Sequence, residues 1–125
     1  MYHAYLLSDA AEVCYLNAHR MAPRDFRWIY LLGYLYHKEG RLSEASLYYG
    51  HARKLRPEFL PVPVNLGDVL VQQSRRVEAG ARFEQALELD PGCGAAHFGL
   101  GQLALSSGKY EDAVGQFEKA LEHVP

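Results

Sequence analysis

Residues 79–91 read AGARFEQALELDP, and residues 113–125 read AVGQFEKALEHVP. The two stretches lie 34 positions apart and hold Ala, Phe, Ala and Pro in the same places. The same step taken towards the N-terminus finds Ala45, Tyr49, Ala52 and Pro57, then Ala11, Tyr15, Ala18 and Pro23. In the other half of each unit it links Leu32, Leu66 and Leu100, each followed at once by Gly33, Gly67 or Gly101. Six columns in one ungapped register mark a repeat protein.

Each unit reads as two helices. Ala45, Tyr49 and Ala52 fall on one helical stripe, where small alanines let helices approach and the ring fills the space between layers. Gly40, Ser74 and Gly108 share the column between the two helices, a place for positive φ or turn geometry. In the last unit this predicts helices over 95–107 and 110–123. Each proline closes a second helix, because it has no N–H to donate and restricts the residue before it. Pro61 and Pro63 crowd the start of one helix, which is tolerable within its first turn.

These columns resemble the tetratricopeptide repeat (TPR) family, in which a Trp–Leu–Gly–Tyr half precedes an Ala–Phe–Ala–Pro half. The first halves read Ile29-Leu32-Gly33-Tyr36, Pro63-Leu66-Gly67-Leu70 and His97-Leu100-Gly101-Ala104. The second halves read Ala45-Tyr49-Ala52-Pro57, Ala79-Phe83-Ala86-Pro91 and Ala113-Phe117-Ala120-Pro125. Trp28 departs from the pattern, one place before the family's aromatic column. The resemblance implies an all-α, right-handed superhelical solenoid of antiparallel helix pairs. It makes residues 1–125 a single domain, with 1–25 a partial repeat and 26–59, 60–93 and 94–125 repeats. The last helix leaves Val114, Phe117 and Leu121 without a polar cap, so the chain reads as a piece of a longer protein.

Composition narrows the function. Thirteen Lys+Arg against fifteen Asp+Glu give a formal charge of −2, which argues against a nucleic-acid partner bound by phosphate neutralisation. No apolar run approaches the roughly 18 residues of a membrane span, and no basic leader opens the chain. A cytoplasmic location is the default expectation, and an exported parent protein is equally compatible. Cys14 on a packed second helix and Cys93 in a Gly-flanked turn read as plain thiols. The histidines His3, His19, His37, His51, His97 and His123 lack metal-ligand spacing, although His3 and His37 share a column. No serine sits in an activated motif and no phosphate loop follows a strand. Neither an enzyme nor a cofactor is expected.

The face of each first helix opposite the core columns is where a partner would bind. In the first unit it holds Arg27, Tyr30, Leu31, Tyr34, His37 and Lys38. The next unit presents Val64, Asn65, Asp68, Val71 and Gln72, and the last Phe98, Gln102, Leu105 and Ser106. Tyr30, Tyr34 and Phe98 are the expected anchors, since large rings dominate interface energetics. Leu105 counts among the expected groove residues and Val71 does not, although ordinary packing between neighbouring helices is the competing account of both. The resemblance also bears on Asn65, which stands where TPR proteins hold extended peptides by a side-chain amide. It argues against a carboxylate clamp, whose other columns here read Tyr30, Tyr34, Pro61 and Gly99. The expected function is a scaffold module of a larger assembly, binding a mostly apolar protein or peptide segment in the concave groove. The alternative is a structural spacer or self-association unit acting through its end faces.

Overall fold

The computed structural model describes the backbone of residues 2–122 and the side chains of residues 9–122. The His3 side chain, His123 and Pro125 lie outside the described residues. All regular structure among them is helical, in two compact units, Met1–Pro57 and Glu58–Pro125. The first holds α1 (Tyr2–Met21), α2 (Phe26–Lys38) and α3 (Leu42–Leu55). The second holds α4 (Pro61–Gln72), α5 (Arg76–Leu89), α6 (Gly94–Ser106) and α7 (Tyr110–Leu121). No described helix is long and apolar enough to cross a membrane.

The turn column does what its residue types predict. Gly40, Ser74 and Gly108 have φ of 76°, 62° and 76°. The residue after each donates back across the turn, Arg41 to Tyr36, Arg75 to Leu70 and Lys109 to Ala104, at 2.8–2.9 Å. These bonds satisfy carbonyls that a helix end leaves open. Ser74 carries a Cβ in a conformation that glycine adopts without that penalty. Pro61 occupies the first position of α4, where a missing N–H costs nothing.

In unit 1, α2 packs on both α1 and α3. Ile29, Leu32 and Tyr36 of α2 are buried with Ala45, Tyr49 and Ala52 of α3. A Cβ on Gly33 would come within 2.8 Å of the Tyr49 ring, which explains the glycine in that column. In unit 2, α4 packs on α5 and α6 on α7, while α6 also touches α5 and α4. Phe83 is fully buried between Gly67 of α4 and Gly99 of α6. Three-helix contact of this kind needs the glycines, because close-packed interiors leave no room for an extra carbon.

Both cysteines are free thiols, and their burial differs. Cys14 is exposed, because its position on α1 falls outside the packed stripe, whereas Cys93 is buried despite its turn. His97 is a buried core residue tying three segments together. Its Nε2 lies 3.0 Å from the Pro91 carbonyl and its Nδ1 2.8 Å from the Gln116 side-chain amide.

Candidate functional site

Within unit 1, the side of α2 flanking the buried stripe of Ile29, Leu32 and Tyr36 carries a ladder of rings. Phe26, Tyr30 and Tyr34 follow one another at i, i+4 and i+8, the spacing that stacks side chains on one helical face. Phe26 and Tyr30 are parallel, with centroids 5.8 Å apart. Tyr30 also lies 6.0 Å from the buried Tyr49 ring, so this residue is shared between surface and core. Tyr34 stands further out, 43% exposed, with the Lys38 Nζ 5.2 Å from its ring centre. Such cation–ring contacts are worth about 0.5–1 kcal/mol at exposed sites.

Polar groups edge this ladder. His37 is half-buried, and burial together with the Lys38 charge holds its imidazole below the ordinary histidine range. A neutral ring protonated at Nε2 accepts at Nδ1 from the Tyr49 hydroxyl, 3.2 Å away. Arg27 is committed locally, since its Nε and Nη2 donate to Asp25 at 3.1 and 2.8 Å. Asp25 also caps α2 by accepting from the Arg27 N–H at 3.0 Å. The side-chain bond from Arg27 keeps this carboxyl below its usual range. Leu31 is half-buried beside the ladder.

The sequence reading missed Phe26 and Arg56. Phe26 was accessible as the residue four before Tyr30. Arg56 was not: it follows α3, and only the fold brings its guanidinium 5.1 Å from the Phe26 ring centre. A second network joins α1 to the turn after α2. The Tyr36 hydroxyl donates to Glu12 at 2.8 Å, and Arg41 covers the Tyr36 ring at 4.4 Å while pairing with Glu12, Glu39 and Glu44. These bonds leave the Tyr36 phenol facing a carboxylate, and its pKa is raised by burial and by Glu12.

Within unit 2, the predicted positions fall on two helices that pack together, α4 and α6. Val64, Asn65, Asp68 and Val71 are half-buried, while Gln102 is exposed. Phe98 is 51% exposed, with its ring 5.5 Å from Phe117. Leu105 is 50% exposed, so ordinary packing does not account for it as it does for the half-buried Val71. The Ser106 hydroxyl is used within its helix, donating to the Gln102 carbonyl at 3.0 Å. A cleft of about 600 Å³ lies elsewhere, between α5, α6 and α7, lined by Arg76, Val77, Leu103, Gln116 and Lys119. It shares no residue with the predicted positions. Among the described residues no cluster of His, Cys, Asp and Glu is arranged to hold a metal ion.

Half-burial of Asp68 pushes its carboxyl above the usual range, because desolvation disfavours the charged form. The folded chain thus holds this proton more tightly than the unfolded chain. Its contribution to stability is complete below the unfolded value, about pH 4, and is lost as pH rises through the higher folded value. Asp68→Asn is therefore expected to raise the melting temperature at pH 7 and leave it unchanged near pH 3. The gain should stay below about 1 kcal/mol, since the group keeps solvent contact. Equal shifts at both pH values in a calorimetric comparison would refute this.

Comparison with known proteins agrees with the repeat. Two tetratricopeptide repeat profiles match, one over residues 64–125 and the other over residues 29–59, together well over half of the chain. No curated protein matches. Among solved structures, MamA MSR-1 superposes with a TM-score of 0.82 at 25% identity, covering 97% of this chain and 70% of that one. MamA AMB-1 superposes at 0.79 with 25% identity, covering 90% of this chain and 61% of that one. A further MamA crystal structure reaches 0.86 at 21% identity over 97% of this chain and 71% of that one, a likeness of fold alone. The chain thus spans between 61% and 71% of these solved chains. Period, turn geometry, ring-on-glycine packing and both profile matches agree: the chain belongs to the tetratricopeptide repeat family, whose helical repeats serve protein–protein interaction.

Proposed function

We propose that this chain is a non-catalytic scaffold module of a larger assembly. It takes up mostly apolar segments of protein partners, on the outward face of α2 in unit 1 and on the outward faces of α4 and α6 in unit 2. The observation carrying this reading is the exposure of large apolar side chains where the core does not use them: Tyr34 on α2, and Phe98 and Leu105 on α6. Rings held half-open on rigid helices form contacts at low entropic cost. Lys38, Asn65, Asp68 and Gln102 supply polar groups that set the orientation of each segment.

The test is selection of a displayed peptide library on the purified chain. Tyr34→Ala and Phe98→Ala are the controls, because Tyr30 also packs against Tyr49. Enriched peptides should lose about 2 kcal/mol of affinity in the variant of the unit they occupy, while helicity is unchanged. Peptides bound equally well by both variants would sink the reading.

A second reading has its own observation. Tyr110, Val114 and Leu121 are all exposed along one side of α7, so this helix offers an apolar face for self-association. A polar change at Val114 or Leu121 that leaves the sedimentation profile unaltered would dismiss it.

A further inference from the structure

The three α1–α3 helices of unit 1 bring a run of cations to one edge. Arg20 is in the last turn of α1, Arg24 lies in the following loop, Lys54 is in the last turn of α3, and Arg56 follows it; all four are exposed. Asp25, beside this edge, is already engaged by Arg27, and the next acid along the chain after Arg56 is Glu58, two residues on. The equivalent edge of unit 2 reverses the sign in the same repeat columns. A step of 34 residues turns Arg24 into Glu58, Lys54 into Glu88 and Arg56 into Asp90, again all exposed. Residues 1–57 hold eight Lys+Arg and five Asp+Glu, against five and ten in residues 58–125.

Stability explains only one of these edges. Cations at helix C-termini complement the helix dipole, so Arg20 and Lys54 suit their places. Glu88 at the end of α5, and Glu122 just past the end of α7, are set against it. A second column points to contact. Met21, Leu55 and Leu89 occupy one repeat position, each the last residue of its helix, and all three are exposed, Met21 by 86%. An apolar residue ringed by charge has the anatomy of an interface, with a core and a polar rim.

We propose that the basic edge of unit 1, around Met21 and Leu55, docks the acidic edge of unit 2, around Leu89, of a second copy of this chain. The second copy is the occupant because its own sequence supplies the complementary surface, column for column: Glu58 for Arg24, Glu88 for Lys54. The contact joins two different surfaces, so it makes closed rings or open chains as its rotation dictates. Apart from Arg56, which lies over the Phe26 ring of α2, it shares no residue with the proposed partner faces or with the apolar side of α7.

Sedimentation velocity of the chain at about 20 mM and about 500 mM salt tests this, since screening weakens exposed charge pairs. Association is expected at low salt, with the constant falling at least about tenfold at high salt. Two charge-reversed variants sharpen the test, Arg24→Glu with Lys54→Glu, and Glu58→Lys with Glu88→Lys. Each changes exposed residues only, and circular dichroism checks that each is folded. Each should be monomeric alone, and the two should associate when mixed in equal amounts. A wild-type chain that is monomeric at low salt up to millimolar concentration overturns the proposal. So does association that survives both reversals or high salt, which would point to α7, and so does a mixture that stays monomeric. Should a variant fail to fold, the salt dependence of the wild type still decides.

Discussion

Phe83→Ala is expected to destabilise the fold by about 3–5 kcal/mol, the range for emptying a fully buried aromatic site. The ring has no solvent exposure and is held from two sides. A Cβ on Gly67 would lie 2.6 Å from its Cε1, and one on Gly99 would lie 2.4 Å from its Cζ. Removing it therefore opens a space that α4 and α6 line with backbone, which cannot collapse as side chains do. Phe117→Ala is the comparison. That ring stands in the same column but is half-buried, and Gly101 closes on it. Its loss should cost roughly half as much. Urea unfolding at constant slope measures both. Equal costs would mean that burial by a third helix adds nothing to the column. A total stability of about 5–15 kcal/mol is typical of domains this size, so Phe83→Ala should stand close to unfolding at room temperature.

Gly99→Ala is expected to change sign with the residue at position 83. In the wild type the added methyl would meet a ring that Gly67 keeps from retreating, an overpacking cost of about 1–3 kcal/mol. The better helix propensity of alanine returns about 1 kcal/mol. In a Phe83→Leu background the far edge of the ring is absent, and the same methyl fills the space left behind. Gly99→Ala should then stabilise. A double-mutant cycle on melting free energies should show a coupling of about 1 kcal/mol or more between the two positions. Identical effects of Gly99→Ala in both backgrounds would show that the ring does not set the glycine's role.

The residues of column 31, 65 and 99 mark where sequence reading reaches its limit. They are Leu31, Asn65 and Gly99, so one repeat position holds an aliphatic chain, an amide and no side chain. Register alone places all three on one helical face. What each does depends on the ring across from it, and Gly99 serves to admit Phe83. The same limit applies to the candidate binding face. Its positions followed from helical spacing, but Tyr30 proved to be shared with Tyr49 and Arg27 to be held by Asp25.

The 34-residue period by itself determined the helix pairs, the turns at Gly40, Ser74 and Gly108, and the alanine and aromatic columns of the core. It could do so because these features repeat, and each depends on backbone geometry or on neighbours within the same unit. Only the tertiary structure decided which members of a column are open to solvent. Exposure depends on the size of the side chain opposite and on whether a further helix lies over it. That is why Phe83 is buried and Phe117 half-buried, why Cys14 is open and Cys93 covered, and why Leu105 stands free of the packing that half-buries Val71.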